Sequence, residues 1–433
     1  MVLNSVTCSL TTALRCPAGL FTADVNNPAA IPGQPPAANV DFLGAGASQP
    51  ALWKMNLALD AELPMGLTVG AELLHTRVKQ GLTYRHLNLG TPTASAPDGR
   101  QLFWNAGGRN AACWDGNANP LTTGACATNA GNPEQRPTTR FLQNRSFNNV
   151  LVADKTTDGQ GNALTLSVQQ NLRTLGLNWS AAFTRTSATE VSPLTSSTSN
   201  SQWANRSNYN PNEATVANSQ SLIKQRVNLA ANWSRALVGS YRTTVGVFYE
   251  GRSGRPYSWT FNNDMNGDGV QGNDLLYVPK DVGSGEVLFR LPGQTVAASS
   301  AAAEAKFWQI VNDNAALRDA RGSVVSRNNA FGKFTNNIDM RLSQEVPGFT
   351  SKHKGVLTLD ILNVGNLLNS KWGRIDEIGF SDGSGGFSRR WINYAGIQNG
   401  KPVYSVNDPF EFTTKNNRGE SAWAMQFTAR YEF

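Results

Sequence analysis

The chain ends in SAWAMQFTARYEF, from Ser421 to Phe433. Trp423, Met425, Phe427, Ala429, Tyr431 and Phe433 fall on every second position, and Gln426, Thr428, Arg430 and Glu432 fall between them. A period of two puts the two sets on opposite faces of a β-strand, so one face meets an apolar medium and the other a polar one. The apolar face starts and ends in aromatics. A soluble sandwich can supply such a strand. A strand of an outer-membrane barrel fits better, with lipid outside, water inside and aromatic girdles at both interfaces. Trp423, Phe427, Tyr431 and Phe433 are accordingly read as the outer-membrane assembly signal.

Composition narrows the class. No window holds the roughly 18 consecutive apolar residues of a transmembrane helix, and mean hydropathy is -0.35. Alternating barrel strands average out in such a window, so a barrel remains open. Charged residues make up 16%, below the ~25% of soluble domains, and Gly, Asn, Ser and Thr take their place. Net charge is +7. No run of clustered Lys and Arg with aromatics is present, so nucleic acid is set aside as a partner. The pairs Cys8/Cys16 and Cys113/Cys126 sit in Pro/Gly/Asn-rich stretches and are read as disulfides of an oxidising compartment. His75, His86 and His353 show no metal-ligand spacing. Met1-Val-Leu-Asn-Ser lacks the basic and apolar regions of a signal peptide, so the chain is expected to be a fragment lacking its true N-terminus.

Residues 1–50 read as a loop or linker region and residues 51–433 as barrel. Alternating stretches recur from Trp53 to Phe433, and short turns such as Glu62-Leu-Pro-Met-Gly66 take turns with long polar connections. Residues 150–154 are treated as part of an external hairpin. Weaker strands are expected at 388–395 and 401–405. The longest insertion, about 251–335, contains one expected helix, 302–320, favoured by its Ala, Glu and Lys content. Short turns at one end and long loops at the other are the layout of an outer-membrane barrel, here with about eleven crossings. The expected class is an all-β, antiparallel transmembrane β-barrel, present in part.

Several stretches resemble TonB-dependent outer-membrane receptors of the Oar-like group. They are Phe248-Tyr-Glu-Gly-Arg-Ser-Gly-Arg-Pro-Tyr257, Asp264-Met-Asn-Gly-Asp-Gly269, Gly272-Asn-Asp-Leu-Leu-Tyr-Val-Pro279, Arg321-Gly322 with Arg327-Asn328, Ile338-Asp-Met-Arg341, Asp360-Ile-Leu-Asn-Val-Gly-Asn-Leu-Leu-Asn369 with Trp372-Gly373, and the terminal Tyr431-Glu-Phe433. The resemblance implies a barrel of about 22 strands, of which this chain would be the C-terminal part. It also implies a plug domain and a TonB box, and neither is recognisable here. Implied partners are outer-membrane lipid and lipopolysaccharide, the assembly machinery, a substrate of unknown identity, and the TonB energy-transducing complex, the last only through the missing plug. The implied location is the bacterial outer membrane. The alternative function is a barrel for adhesion, motility or protein export. A third reading is a secreted soluble β-protein.

Asp264, Asn266 and Asp268 with Gly269 form the D-x-N-x-D-G opening of a calcium loop. Oxygens at positions one, three and five converge on a hard cation, and the glycine permits the turn. Leu275 stands where an EF-hand has Glu, and Asn273 and Asp274 are the candidates to close the site. The competing reading is a solvated Asn/Asp/Gly loop. Arg252, Arg255, Arg321 and Arg327 are either an anion-binding cluster at the mouth or loop-packing, carbonyl-capping arginines. Trp179, Trp233, Trp372, Trp391 and Trp423 are read as girdle or loop-packing residues. No catalytic constellation has motif context, so no enzyme is expected.

Overall fold

The computed structural model describes residues 9–10, 14–15, 37–121, 124–126, 140–295, 298–350, 352–381, 383–415 and 419–433. The first cysteine pair, Cys8 and Cys16, lies outside them.

Nine long strands form the antiparallel wall of a twelve-stranded sheet, in which only Ala38–Leu43 and Phe147–Thr156 pair in parallel. They are β1 (Ala51–Leu63), β2 (Leu67–His86), β3 (Gly159–Leu172), β4 (Leu177–Glu190), β5 (Gln225–Val238), β6 (Tyr241–Arg252), β7 (Thr335–Pro347), β8 (Lys354–Leu362) and β9 (Ala424–Glu432). Each pairs with the next in chain order, a plain up-and-down meander. Four connections are tight, with Leu63 opposite Leu67, Leu172 opposite Leu177, Val238 opposite Tyr241 and Pro347 opposite Lys354. All four lie at one end of the wall, and Glu432 opposite Lys354 puts the C-terminus there too. The other four connections are long and leave from the opposite end. The expected all-β antiparallel barrel class is what the chain adopts.

Register places one kind of side chain on each face. Directly opposed residues share a face, so Val69, Val168, Ala181, Leu229, Tyr249 and Ile338 form one row across six strands. Another row runs from Val245 through Leu342 and Leu359 to Phe427. This face is apolar and bare: Leu57 is 72% exposed, Leu59 70% and Phe427 68%. A sandwich would bury such rows under a second sheet. The opposite face is polar and cross-bonded. Thr165 and Thr184, Ser234 and Thr244, and Ser343 and Thr358 each meet at 3.0 Å, and Arg341 donates to Asp360 at 2.6 Å.

Two expectations need correction. Phe147–Thr156 is not half of a hairpin. It runs antiparallel to the upper part of β2, Thr156 lying opposite Gly81, and β3 runs antiparallel to the lower part, Gln160 lying opposite Arg77. The chain passes from one to the other in the same direction. The weak strands near 388–395 and 401–405 do not cross the wall either. Ser388–Gln398 and Lys401–Val406 lie in a separate five-stranded sheet with Leu288–Arg290, Pro256–Phe261 and Ala330–Phe331. Their apolar residues are contiguous, as in Trp391-Ile392 and Tyr394-Ala395, which marks a strand covered on both faces. The count of crossings is therefore nine among the described residues.

The long connections fold together into a cap with its own core. Trp259, Phe261, Phe307, Trp391, Tyr394 and Tyr404 are all buried there. Helix α1 (Ala301–Asp313) covers the cap sheet, and Phe307 stacks on Trp391 with ring centroids 4.8 Å apart. Ser300 caps the helix by accepting from the Ala303 amide at 3.3 Å. The expected helix breaks at Asn314, and Ala315–Arg318 forms a separate turn.

Candidate cation site

The segment 264–274 follows the cap strand Pro256–Phe261 and turns against residues 103–104. The Phe103 amide donates to the Asn266 carbonyl at 2.6 Å, and Trp104 Nε1 donates to the Met265 carbonyl at 3.0 Å. Gly267 makes this possible. Its φ is 81°, and a Cβ there would sit 2.5 Å from the Trp104 amide nitrogen.

The five expected residues are brought together and are not solvated. Asn266, Asp268, Asn273 and Asp274 are fully buried, and Asp264 is 9% exposed. The solvated-loop reading is thereby overturned. Asp264 accepts from the Gly267 amide at 2.6 Å and the Gly269 amide at 2.8 Å. Asn266 Oδ1 accepts from the Asp268 amide, and Asp268 Oδ1 from the Val270 amide, both at 2.8 Å. Asn273 Nδ2 donates to Asp268 Oδ2 at 2.9 Å. Asp274 faces the other way. It accepts from the Met265 amide at 2.8 Å and pairs with Arg100 at 3.3 Å.

Burial dominates the electrostatics. It holds the Asp264 carboxyl well above the usual range, and the charges of Asp268 and Asp274 add to the effect. Burial and the Asp274 charge push Asp268 up to about 7. Burial raises Asp274 to about 6 against the pull of Arg100. Arg140 also bonds to this turn, but through the Asp268 carbonyl, at 3.2 Å. One acceptor is left over: Asn273 Oδ1 is buried and has no hydrogen-bond partner. Among the described residues no three His, Cys, Asp or Glu side chains are grouped to hold a metal. The oxygens on offer are therefore two carboxylates and two amides.

Arg100, fully buried between Asp98 and Asp274, belongs to this site and has no signature in the sequence. It lies 174 residues from Asp274, and only the fold joins them.

The remaining expected residues fall as follows. Arg252 and Arg255 share a small cavity of about 130 Å³ with Asp376, Glu377 and Lys415. Both have acidic partners, Glu250 at 3.7 Å and Glu377 at 3.3 Å. Arg321 lies over Trp308, and Arg327 donates to the carbonyls of Glu190 and Thr215 at 2.7 and 3.0 Å. Arg327 is a carbonyl-capping residue. Trp391 is buried in the cap, whereas Trp372 and Trp423 are exposed. Trp179 and Trp233 lie on wall strands toward the short-turn end. Cys113 and Cys126 are joined in a disulfide. Trp423, Phe427, Tyr431 and Phe433 are all exposed. The Tyr431 hydroxyl accepts from the Phe349 amide at 3.0 Å and meets His353 Nδ1 at 2.9 Å.

No family model and no curated protein matches the chain. The crystal structure of the outer membrane transporter YddB from Escherichia coli is similar over 92% of this chain, with a TM-score of 0.37 and 9% identity. The match covers 35% of YddB, so the chain spans about a third of that protein's length.

Proposed function

We propose that this chain is the C-terminal barrel portion of a TonB-dependent outer-membrane receptor of the Oar-like group. One observation carries the reading: a bare apolar face, in register across nine strands, backs onto a cross-bonded polar face. Water does not stabilise the first face and lipid does not stabilise the second. The tight turns at one end are the periplasmic side of such a wall, and the cap at the other end is its outer side.

The edges support a larger whole. Among the described residues β1 pairs only with β2, and β9 only with β8. Open edges are not tolerated in hydrocarbon, where every backbone group needs a partner. Further strands close the barrel, and a plug domain outside this sequence answers to the inner-membrane energy transducer. The polar faces then line the substrate path, and the cap offers the capture surface. No catalytic step is part of this reading.

A second reading has its own observation. The long connections form one packed body rather than separate loops, which suits a fixed outer surface for adhesion, motility or protein export. Heat-modifiability separates the membrane reading from a soluble one. The full native gene is expressed, cells are fractionated, and the outer-membrane fraction is run with and without boiling. A folded barrel migrates differently when unboiled. A soluble product without that shift would sink both membrane readings. Uptake that depends on the plug and on the energy transducer favours the receptor, and a surface phenotype that survives loss of both favours the second reading.

A further inference from the structure

We propose that the buried turn at 264–274 takes one Ca²⁺, held by the carboxylates of Asp264 and Asp268 and the side-chain oxygens of Asn266 and Asn273. The charge argument comes first. Asp264 and Asp268 are buried, and no Lys or Arg side chain pairs with either carboxylate among the described residues. A buried charge needs a counter-charge. Backbone amides orient both groups but supply no net charge. Asp274 already has Arg100; Arg140 lies near enough to attract Asp264 and Asp268 but bonds neither carboxylate, so a divalent cation is the direct counter-charge the turn lacks.

The second observation is independent of the charges. Asn273 bonds Asp268 through its Nδ2, while its Oδ1 is fully enclosed and has no donor. A buried acceptor without a partner is costly. Turned over, the same amide would set its oxygen beside Asp268, a contact that an ionised Asp268 makes favourable when a cation lies between them. Amide orientation is set by such surroundings. The donors are all oxygen, part anionic and part neutral, which selects a hard cation with flexible coordination, Ca²⁺ over Mg²⁺. Leu275 is buried at the twelfth position and cannot ligate. The bidentate carboxylate of an EF-hand is therefore missing, and affinity should lie near the ~10⁻⁴–10⁻³ M of extracellular modules.

The test uses the full chain, folded in detergent and stripped with EDTA. Equilibrium dialysis against CaCl₂ counts the bound metal, and hydrogen exchange reads the amides of residues 264–276. One Ca²⁺ per chain is expected, with amide protection rising roughly tenfold at ten times Kd. Asp268→Asn removes a ligand charge, and its new amide group can donate to the Asn273 oxygen. This variant should be as well protected as the wild type in EDTA and should no longer respond to calcium. A merely structural Asp268 predicts the reverse, lost protection in EDTA. If that variant does not fold, Asn273→Ala, which deletes the neutral ligand, should weaken calcium binding by about tenfold or more. No saturable binding up to about 10 mM, well above the extracellular range, overturns the site. So does binding that is unchanged in both variants, or equal protection by MgCl₂. The outcome is independent of whether the wall sits in lipid, which heat-modifiability decides.

Discussion

His86 sits at the top of β2, fully buried, with its ring edge-on to Trp203 at 5.1 Å and Nε2 3.0 Å from Asn149. Burial and the nearby Arg140 charge push its pKa down to about 4. The unfolded chain takes up a proton near the ordinary 6.5, and the folded chain does not. Stability is therefore complete above about pH 6.5 and is lost as pH falls toward 4, by on the order of 3 kcal/mol in the limit. His86→Gln should flatten that slope when cap unfolding is followed at pH 7 and pH 4.5; an unchanged slope would assign the acid sensitivity to other groups. Asn363 carries more contacts. It stands at φ 53°, caps the following turn, and donates to the carbonyls of Gly373 and Glu420 at 2.9 and 3.0 Å. Asn363→Ala should cost about 2–4 kcal/mol in denaturant, and Asn363→Gly about 1 kcal/mol less, because glycine restores the left-handed backbone without the bonds. Both readings show what was legible at this scale. The spacing of Asp264, Asn266 and Asp268 marks a ligand turn in any context. Arg100 and the buried state of His86 depend on segments far away in sequence, and no local pattern announces them.

The wall strands were legible because each has two different environments, and alternation records that directly. The cap strands have one environment, so their side chains carry no period. From the sequence alone they pass for weak crossings for that reason. Substitutions should separate the two kinds of element. Leu166 lies on the bare face, in the row of Ala71 and Phe183, and Ser180 lies on the polar face. In lipid vesicles Leu166→Arg should cost about 2–4 kcal/mol, whereas Ser180→Arg should cost less than about 1 kcal/mol. Equal costs would mean that the apolar face does not meet lipid. Trp391 packs on Phe307 and Trp259 within the cap. Trp391→Ala should remove about 3–5 kcal/mol of cap stability. Limited proteolysis should then cut the cap, while the wall keeps its heat-modifiable migration. Helix α1 was legible from its Ala-rich composition. Its role was not, since the burial of Phe307 comes in part from strands 80 and more residues away, through Trp391 and Tyr404.

Over the whole molecule, the alternation of short and long connections was enough to give the polarity of the wall. Their lengths alone could not show that three of the long ones share one core, while the connection between β4 and β5 packs Trp203 and Ala204 into a smaller one with Leu89, Phe103, Leu151 and Val270. The shared core takes side chains from residues 102–118, 257–289, 303–325 and 391–406. Its last contributor, Lys401–Val406, is followed by only one wall strand, β9. None of the three connections that share this core can therefore swing as a hinged lid without tearing the other two. Completeness is constrained as well. A chain cut before residue 401 would hold eight of the nine wall strands and still could not complete the core of its cap.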